Sequence, residues 1–520
     1  MRHCLGIFTV STCLLLSSCL VGPNYKEPRK LVASHWIQKS PAVKEAPVHE
    51  ATWWKVFNDP TLTYLVEQAY QNNLSLQVAG IRVLQTRAQL AQSVGELYPQ
   101  QQALFGNYTY QRVGGSSLQD ILPSSFETAV LGVTASWELD FWGKYRRAIR
   151  SNDANFLASI AAYDTALVSL TADVASSYMN IRTYEELIRV TKANIQLQTM
   201  SLRIAKSRFK AGETSLLDVE QAQTELASTI ASLPPLVASL QRYKDLLGLL
   251  LGTVPNAVDC FLIKSNGIPK APQQVAVGIP IETLAQRPDI HQARLAAIAQ
   301  SEAIGAVKAN LFPSFSLSGT FAFAANTIGN NSISDIFKWS NRNIAAGPGF
   351  TWPILNYGQI TNAVRVQDAV FQETVLNYVN QVLKAQQEVQ DNISRYIQAR
   401  KAEQALVFAN NSAIKTTKLA LTRYKEGQTN YTAVLNAEQQ QLRIQTSLTN
   451  AKGETAKALV ALYRSLGGGW QIRNGNDVVP QHIKAEMAQR TNWGSLLKQK
   501  NHEPPITKGQ RLKQLYLPNW

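Results

Sequence analysis

The chain has 520 residues, 45% of them hydrophobic and only 17% charged, a balance that fits folded domains and excludes wholesale disorder. Beyond the start, no apolar run reaches the roughly 18 residues that a membrane-spanning helix needs. The formal net charge is +15, and much of it sits near the C-terminus.

The first segment reads as a secretion signal. Arg2 and His3 supply a polar head, and Leu5 to Leu16 is apolar but too short to cross a bilayer. It ends in LSSC, residues 16–19. Small residues before a cysteine, after such a stretch, resemble a bacterial lipobox, which implies cleavage before Cys19 and a lipid on Cys19. Leu20, in place of the Asp that resembles an inner-membrane retention signal, favours the outer membrane. Cys4 and Cys13 leave with the signal and Cys260 has no partner, so neither a disulfide framework nor a cysteine metal site is expected.

The rest of the chain is a duplication. A shift of 215 positions, taking Arg208 to Arg423, also takes Trp137 to Trp352, Gly143 to Gly358, Lys210 to Lys425, Gly212 to Gly427 and Thr214 to Thr429. Each half then has one order: helix, strand, strand, very long helix, tip, helix. The first helices are predicted over about 62–97 and 281–311, the long ones over about 144–209 and 359–425. At 1.5 Å per residue each long helix is ~100 Å. Ile160, Tyr163, Leu167, Leu170, Val174, Ile181, Tyr184 and Ile188 follow a 3-4 rhythm, with Ser177 the polar member. Val375, Tyr378, Val382, Ala385, Val389, Tyr396 and Ala399 repeat it, with Asn392 opposite Ser177. Such spacing is a coiled-coil seam that wants neighbours along its length. Pro234-Pro235 is expected to break the first return helix, whereas the second runs from about 430 to Gly467-Gly468-Gly469.

Each half also holds two strands. Phe315, Leu317, Gly319, Phe321 and Phe323 alternate with small polar residues, as do Leu131, Val133, Ala135, Trp137 and Leu139. The strands near 103–111 and 345–354 are rougher. Alternation suits a soluble sandwich and a membrane barrel alike. Four short strands close no barrel, and an open edge cannot face lipid, so strands in a membrane require several chains to share one barrel. Two copies give 8 strands, three give 12 and four give 16; periodicity does not choose among them. The polar loops 112–125 and 325–343 would form the exposed end of the barrel, with the long helices running into the periplasm.

Enzyme chemistry has little support. The six histidines have no metal-like spacing, and no phosphate loop or nucleophile elbow is present. In the tail, Lys484, Arg490, Lys498, Lys500, Lys508, Arg511 and Lys513 outnumber Glu486 and Glu503. An exported chain seldom meets nucleic acid, so the tail reads as a solvated segment near anionic envelope polymers.

Several stretches together resemble the TolC-like outer-membrane efflux proteins, in the lipoprotein branch that serves resistance-nodulation-division pumps. They are CLVGPNYKEP at 19, WWKVFNDPTL at 53, WELDFWGKYRR at 137, RFKAGETSLLDVEQAQ at 208, RPDIHQAR at 287, NLFPSFSLSG at 310 and LGGGW at 466. The resemblance implies a mainly α fold with a membrane β part: a homotrimer whose 12-strand barrel continues as a long helical barrel. By it, residues 1–18 are signal, 19–60 the lipid-anchored segment, 61–252 and 279–466 the two repeats, 253–278 an equatorial linker and 467–520 an equatorial and basic tail. The implied function is a passive exit duct for drugs or other small toxic compounds, lipid-anchored in the outer membrane and without cofactor, metal or catalysis. Its partners would be a periplasmic adaptor and an inner-membrane pump. A protein-secretion duct of the same fold and a structural coiled-coil lipoprotein are the alternatives. Arg208, Lys210, Gly212, Arg423, Lys425 and Gly427 would form adaptor-facing tips, the basic residues solvated until the adaptor docks. Carried over residue by residue, the family's gate falls on Asp218 and Tyr424, and its acidic pore ring on Ala433 and Asn436. Asn436 is uncharged, which puts strong cation selection there in doubt.

Overall fold

The computed structural model describes residues 20–29, 32–37, 40–46, 50–114, 123–262, 267–272, 274–278, 280–474, 476–498 and 515–517. Cys19, the signal segment, the centre of the first strand-joining loop and residues 499–514 of the basic tail lie outside them. In chain order the elements begin with β1 (Val43–Glu45), α1 (Pro60–Asn72), α2 (Leu74–Gly95), β2 (Gln101–Arg112), β3 (Ser125–Leu139) and the long α3 (Lys144–Lys210). Then come α4 (Leu216–Ala231), α5 (Leu233–Leu250), α6 (Val258–Phe261), β4 (Val275–Val277), α7 (Pro280–Gln286) and α8 (Pro288–Lys308). The second half closes with β5 (Ser314–Asn326), β6 (Arg342–Thr351), the long α9 (Gln359–Lys425), α10 (Tyr431–Ser465) and α11 (Gln481–Arg490).

The long helices match their predicted spans to within a residue. The single first helices do not: each is two. Asn73 leaves helical geometry because its side chain caps α2, accepting from Leu76 N at 2.8 Å, and donates to the Leu250 carbonyl at 2.8 Å. In the second half Arg287 precedes Pro288 and is extended, which separates α7 from α8. Pro234 and Pro235 break less than expected. Ser232 keeps helical dihedrals, and the prolines occupy the first turn of α5, where their missing N–H groups are not needed.

β2, β3, β5 and β6 form one antiparallel sheet in that order. Its register merges the apolar faces of both halves. Leu131 pairs with Phe323, Val133 with Phe321, Trp137 with Leu317 and Leu139 with Phe315. Leu104 joins this face opposite Val133, and Ile344 and Phe350 join it opposite Phe321 and Phe315. The other face carries Thr134, Ser136, Ser316, Ser318 and Thr320. Among the described residues, β2 and β6 are the two edges, each paired on one side only.

Below the sheet, α3 packs along α2, α4, α5, α8 and α10, and α9 along α8 and α10. Ile160, Tyr163, Leu167, Leu170, Val174 and Ile181 are buried in the α3 seam, and Tyr378, Val382, Ala385, Val389 and Tyr396 in that of α9. Buried Ser177 donates to the Tyr243 carbonyl at 3.2 Å. The stretches outside the duplication gather around the middle of the tube. Trp53, Trp54, Phe57, Val258, Val275, Val478 and Met487 share one core with Tyr163, Tyr178 and Tyr396. β1 pairs with β4 in parallel, joining the first of these stretches to the linker. Arg473 reaches Asp164 with both side chains under 10% exposed, and Tyr178 donates to Asp59 at 2.7 Å.

Candidate functional site at the helical tips

Both long helices end in the same reversal. Gly212 and Gly427 have φ of 74° and 78°, a left-handed conformation that costs glycine little. It lets Glu213 N donate to the Arg208 carbonyl at 3.0 Å and Gln428 N to the Arg423 carbonyl at 2.8 Å, which satisfies the helix ends. α4 and α10 then run back along the tube.

The two tips of one chain pack on each other. Ala205, Val219 and Ala222 from the first, with Tyr424, Tyr431 and Val434 from the second, make a small core separate from the main one. At its edge Tyr424, 1% exposed, donates its hydroxyl to Asp218 Oδ2 at 3.1 Å. Thr214 donates to the same carboxylate oxygen. The Arg208 guanidinium lies 4.8 Å over the Tyr424 ring and donates to the Tyr424 carbonyl, while its Nε holds Glu213 at 3.1 Å. Tyr431 meets the Tyr424 ring edge-on, with centroids 5.4 Å apart. Burial, reinforced by the Asp218 carboxylate, raises Tyr424 above the ordinary phenol range, so the hydroxyl remains a donor near neutral pH.

The basic residues of the tips are therefore not equivalent. Lys210, Arg423 and Lys425 are exposed, as are Gly212 and Gly427. Arg208, expected to be solvated, has a side chain only 15% exposed, because stacking on Tyr424 and the bond to its carbonyl draw it between the tips. Asn436 is exposed on α10, outside the Tyr424 cluster. Sequence reasoning brought Asp218 to Tyr424 through the resemblance but missed Thr214 and the crossing of Arg208. Thr214 carried a signal, since it is repeated as Thr429 and lies four residues before Asp218. Nothing in the spacing of Arg208 says that it reaches the other half of the chain.

A sheet apolar on one face with two open edges, set on a helical tube of ~100 Å with bonded tips, defines the subunit of an outer-membrane channel. The sequence profile described as Outer membrane efflux protein matches residues 65–253 and 279–468, and the chain belongs to this family. Nodulation protein T of Rhizobium leguminosarum bv. trifolii is 29% identical over 457 residues, covering 88% of this chain and 96% of that one. The probable outer membrane lipoprotein SilC of Salmonella typhimurium is 27% identical over 470 residues, covering 90% and 99%. The structure of the outer-membrane channel OprN superposes with a TM-score of 0.80 at 29% identity, covering 87% of this chain and all of that one. The protein is thus an outer-membrane efflux channel, forming the exit duct of an efflux pump and extending into the periplasm. Its family is one of channels, not of enzymes. The coiled-coil spacer alternative leaves the sheet without a role.

Proposed function

We propose that three copies of this chain form one duct, with a shared 12-strand barrel and a latched periplasmic mouth, and that it passively releases small toxic compounds delivered by an inner-membrane pump through a periplasmic adaptor. The observation that carries this reading is the four-stranded sheet with one apolar face and unpaired β2 and β6 edges. In lipid those edges need partners, and a second copy supplies β6 to β2. The tube below is continuous with the sheet, so the same symmetry closes both.

In this reading Asp218 and Tyr424 latch the tip of each chain, with Thr214 orienting the carboxylate and Arg208 holding Tyr424 in place. The exposed Lys210, Arg423 and Lys425 are the groups an adaptor meets first. Asn436 lines the mouth as a polar, uncharged ring, so cation block at that level is weak. Cys19 carries the lipid. In support, the chain just after it is clamped at the junction of sheet and tube: Val21 N donates to the Trp142 carbonyl at 3.1 Å, and Arg147 donates to the Val21 carbonyl at 3.2 Å and Asn24 at 3.1 Å. Trp142 stacks on Phe312 with centroids 4.8 Å apart, an aromatic pair suited to the membrane surface.

The test is the mass of the mature, detergent-solubilised protein. Three chains per particle are expected. A single-chain mass, stable across detergents, removes the shared barrel and with it the duct.

A further inference from the structure

Above the latch, the seam between α3 and α10 is buried yet polar. Asn194, Gln198 and Ser201 of α3 face this seam with Glu438 of α10, and all four are at most 2% exposed. Asn194 donates to Gln445 at 2.6 Å, and Ser201 donates to Glu438 Oε1. Four atoms of this seam have no hydrogen-bond partner among the described residues: Glu438 Oε2, both amide atoms of Gln198, and Asn194 Oδ1. Such groups are costly in a closed interface and cheap once water reaches them.

The duplication shows that the fold does not require this. The same shift of 215 that takes Arg208 to Arg423 takes Asn194 to Ala409 and Gln198 to Ala413. It takes Gln223, Leu226 and Ile230 to Glu438, Gln441 and Gln445. Two of the three polar positions of the first long helix are thus alanine in the second, with Ser201 becoming Thr416, and Glu438, Gln441 and Gln445 stand where the first return helix has the uncharged Gln223, Leu226 and Ile230. The equivalent positions of the other half carry no charge, whereas the seam within the chain has a carboxyl.

Among the described residues, the surroundings of Glu438 hold no counter-charge. α3 presents the neutral Gln198 and Ser201, and α9 presents Thr417, whose hydroxyl donates to the Ala437 carbonyl at 3.1 Å. α4 presents Glu225, of the same sign, and α10 itself adds Tyr431. Because Glu438 is fully buried within one chain, a neighbouring copy cannot reach it.

We infer that Glu438 is a proton-binding site that sets how tightly α10 closes on α3. Neutral, it allows the seam to shut; ionised and unpaired, it drives the helices apart to admit water. Burial, with Glu225 adding to it, pushes this carboxyl up from an ordinary 4.5 to about 7, against the opposing bond from Ser201. The closed form therefore holds the proton more tightly than a hydrated, open form. Below both values the two forms are protonated alike, and between them the closed form loses ground by up to about tenfold per pH unit as pH rises. Over the whole window that is ~300-fold per chain, complete above about pH 7. Acid tightens the seam. The consequence for conduction rests on reading the tips as a gate; the titration does not.

The experiment compares the trimer with Glu438→Gln, which stays neutral. Amide exchange over 194–205 and 434–446 is followed from pH 5 to 8, referenced to unfolded peptide to remove intrinsic base catalysis. Protection in the wild type should fall across this range by tenfold or more, and Glu438→Gln should keep its acid-side protection at pH 8. Equal pH dependence in both proteins, or none in the wild type, overturns the inference. If Glu438→Gln does not assemble, Ser201→Ala serves. It removes the one bond that lowers the carboxyl, so the midpoint should rise, and an unmoved midpoint overturns the inference. Conductance in planar bilayers is read alongside. Exchange that responds to pH with conductance that does not supports the proton site and rejects the gate reading of the tips.

Discussion

Replacing Tyr424 with Phe takes away one hydroxyl and little else. The ring keeps its place under Arg208 and against Tyr431, and the small core of Ala205, Val219, Ala222 and Val434 is unchanged in volume. What is lost is the 3.1 Å bond to the Asp218 carboxylate. Bonds to charged groups contribute about 1.5–3 kcal/mol net, so the closed tip of each chain should weaken by about ten- to a hundredfold relative to the open one. Asp218→Ala goes further, because it also leaves the buried hydroxyl of Tyr424 without its acceptor, at a cost of about 1–3 kcal/mol. The assay is resting conductance of the trimer in planar bilayers. Tyr424→Phe should raise it, Asp218→Ala should raise it at least as much, and the double variant should fall back from Asp218→Ala toward Tyr424→Phe, since it no longer leaves a buried hydroxyl without an acceptor. Intact trimers of both single variants with wild-type conductance would show that this bond does not hold the mouth.

Three other outcomes follow from the same geometry. Arg208→Ala should raise conductance less than Tyr424→Phe, because Asp218 still holds the hydroxyl, and Arg208→Lys should not restore it, since an ammonium cannot both stack flat on the ring and reach Glu213; adaptor cross-linking through Lys210 and Lys425 should persist. Arg473→Ala should lower trimer stability by about 1.5–3 kcal/mol, read as thermal or denaturant unfolding, because it removes the guanidinium that bonds both carboxylate oxygens of the buried Asp164; an unchanged midpoint refutes a structural role for the pair. Cys19→Ser should remove the acyl mass from the mature N-terminus while the barrel keeps the protein in the membrane; a wild-type mass without lipid refutes the anchor.

Much of this molecule was legible in its residues. The repeat of Arg208, Gly212 and Thr214 as Arg423, Gly427 and Thr429 located both tips, and a 3-4 apolar rhythm located two helices of 67 residues each. Those signals are local, or repeat at fixed spacing, and backbone geometry alone makes them visible. The breaks at Asn73 and Arg287 were less legible, because one depends on a carbonyl 177 positions away and the other competes with a strong helical pattern. Alternation showed that each strand had an apolar face. Only the pairing of β3 with β5, between halves of the chain, made those faces one surface and left two edges open. The same holds at the tips. Sequence supplied Arg208 as a basic residue beside a turn; the packing of one hairpin on the other turned it inward onto Tyr424. Charge and periodicity are properties of neighbours along the chain. A buried carboxylate oxygen with nothing to bond it, as at Glu438 Oε2, depends on what a distant helix brings, and only the folded molecule decides that.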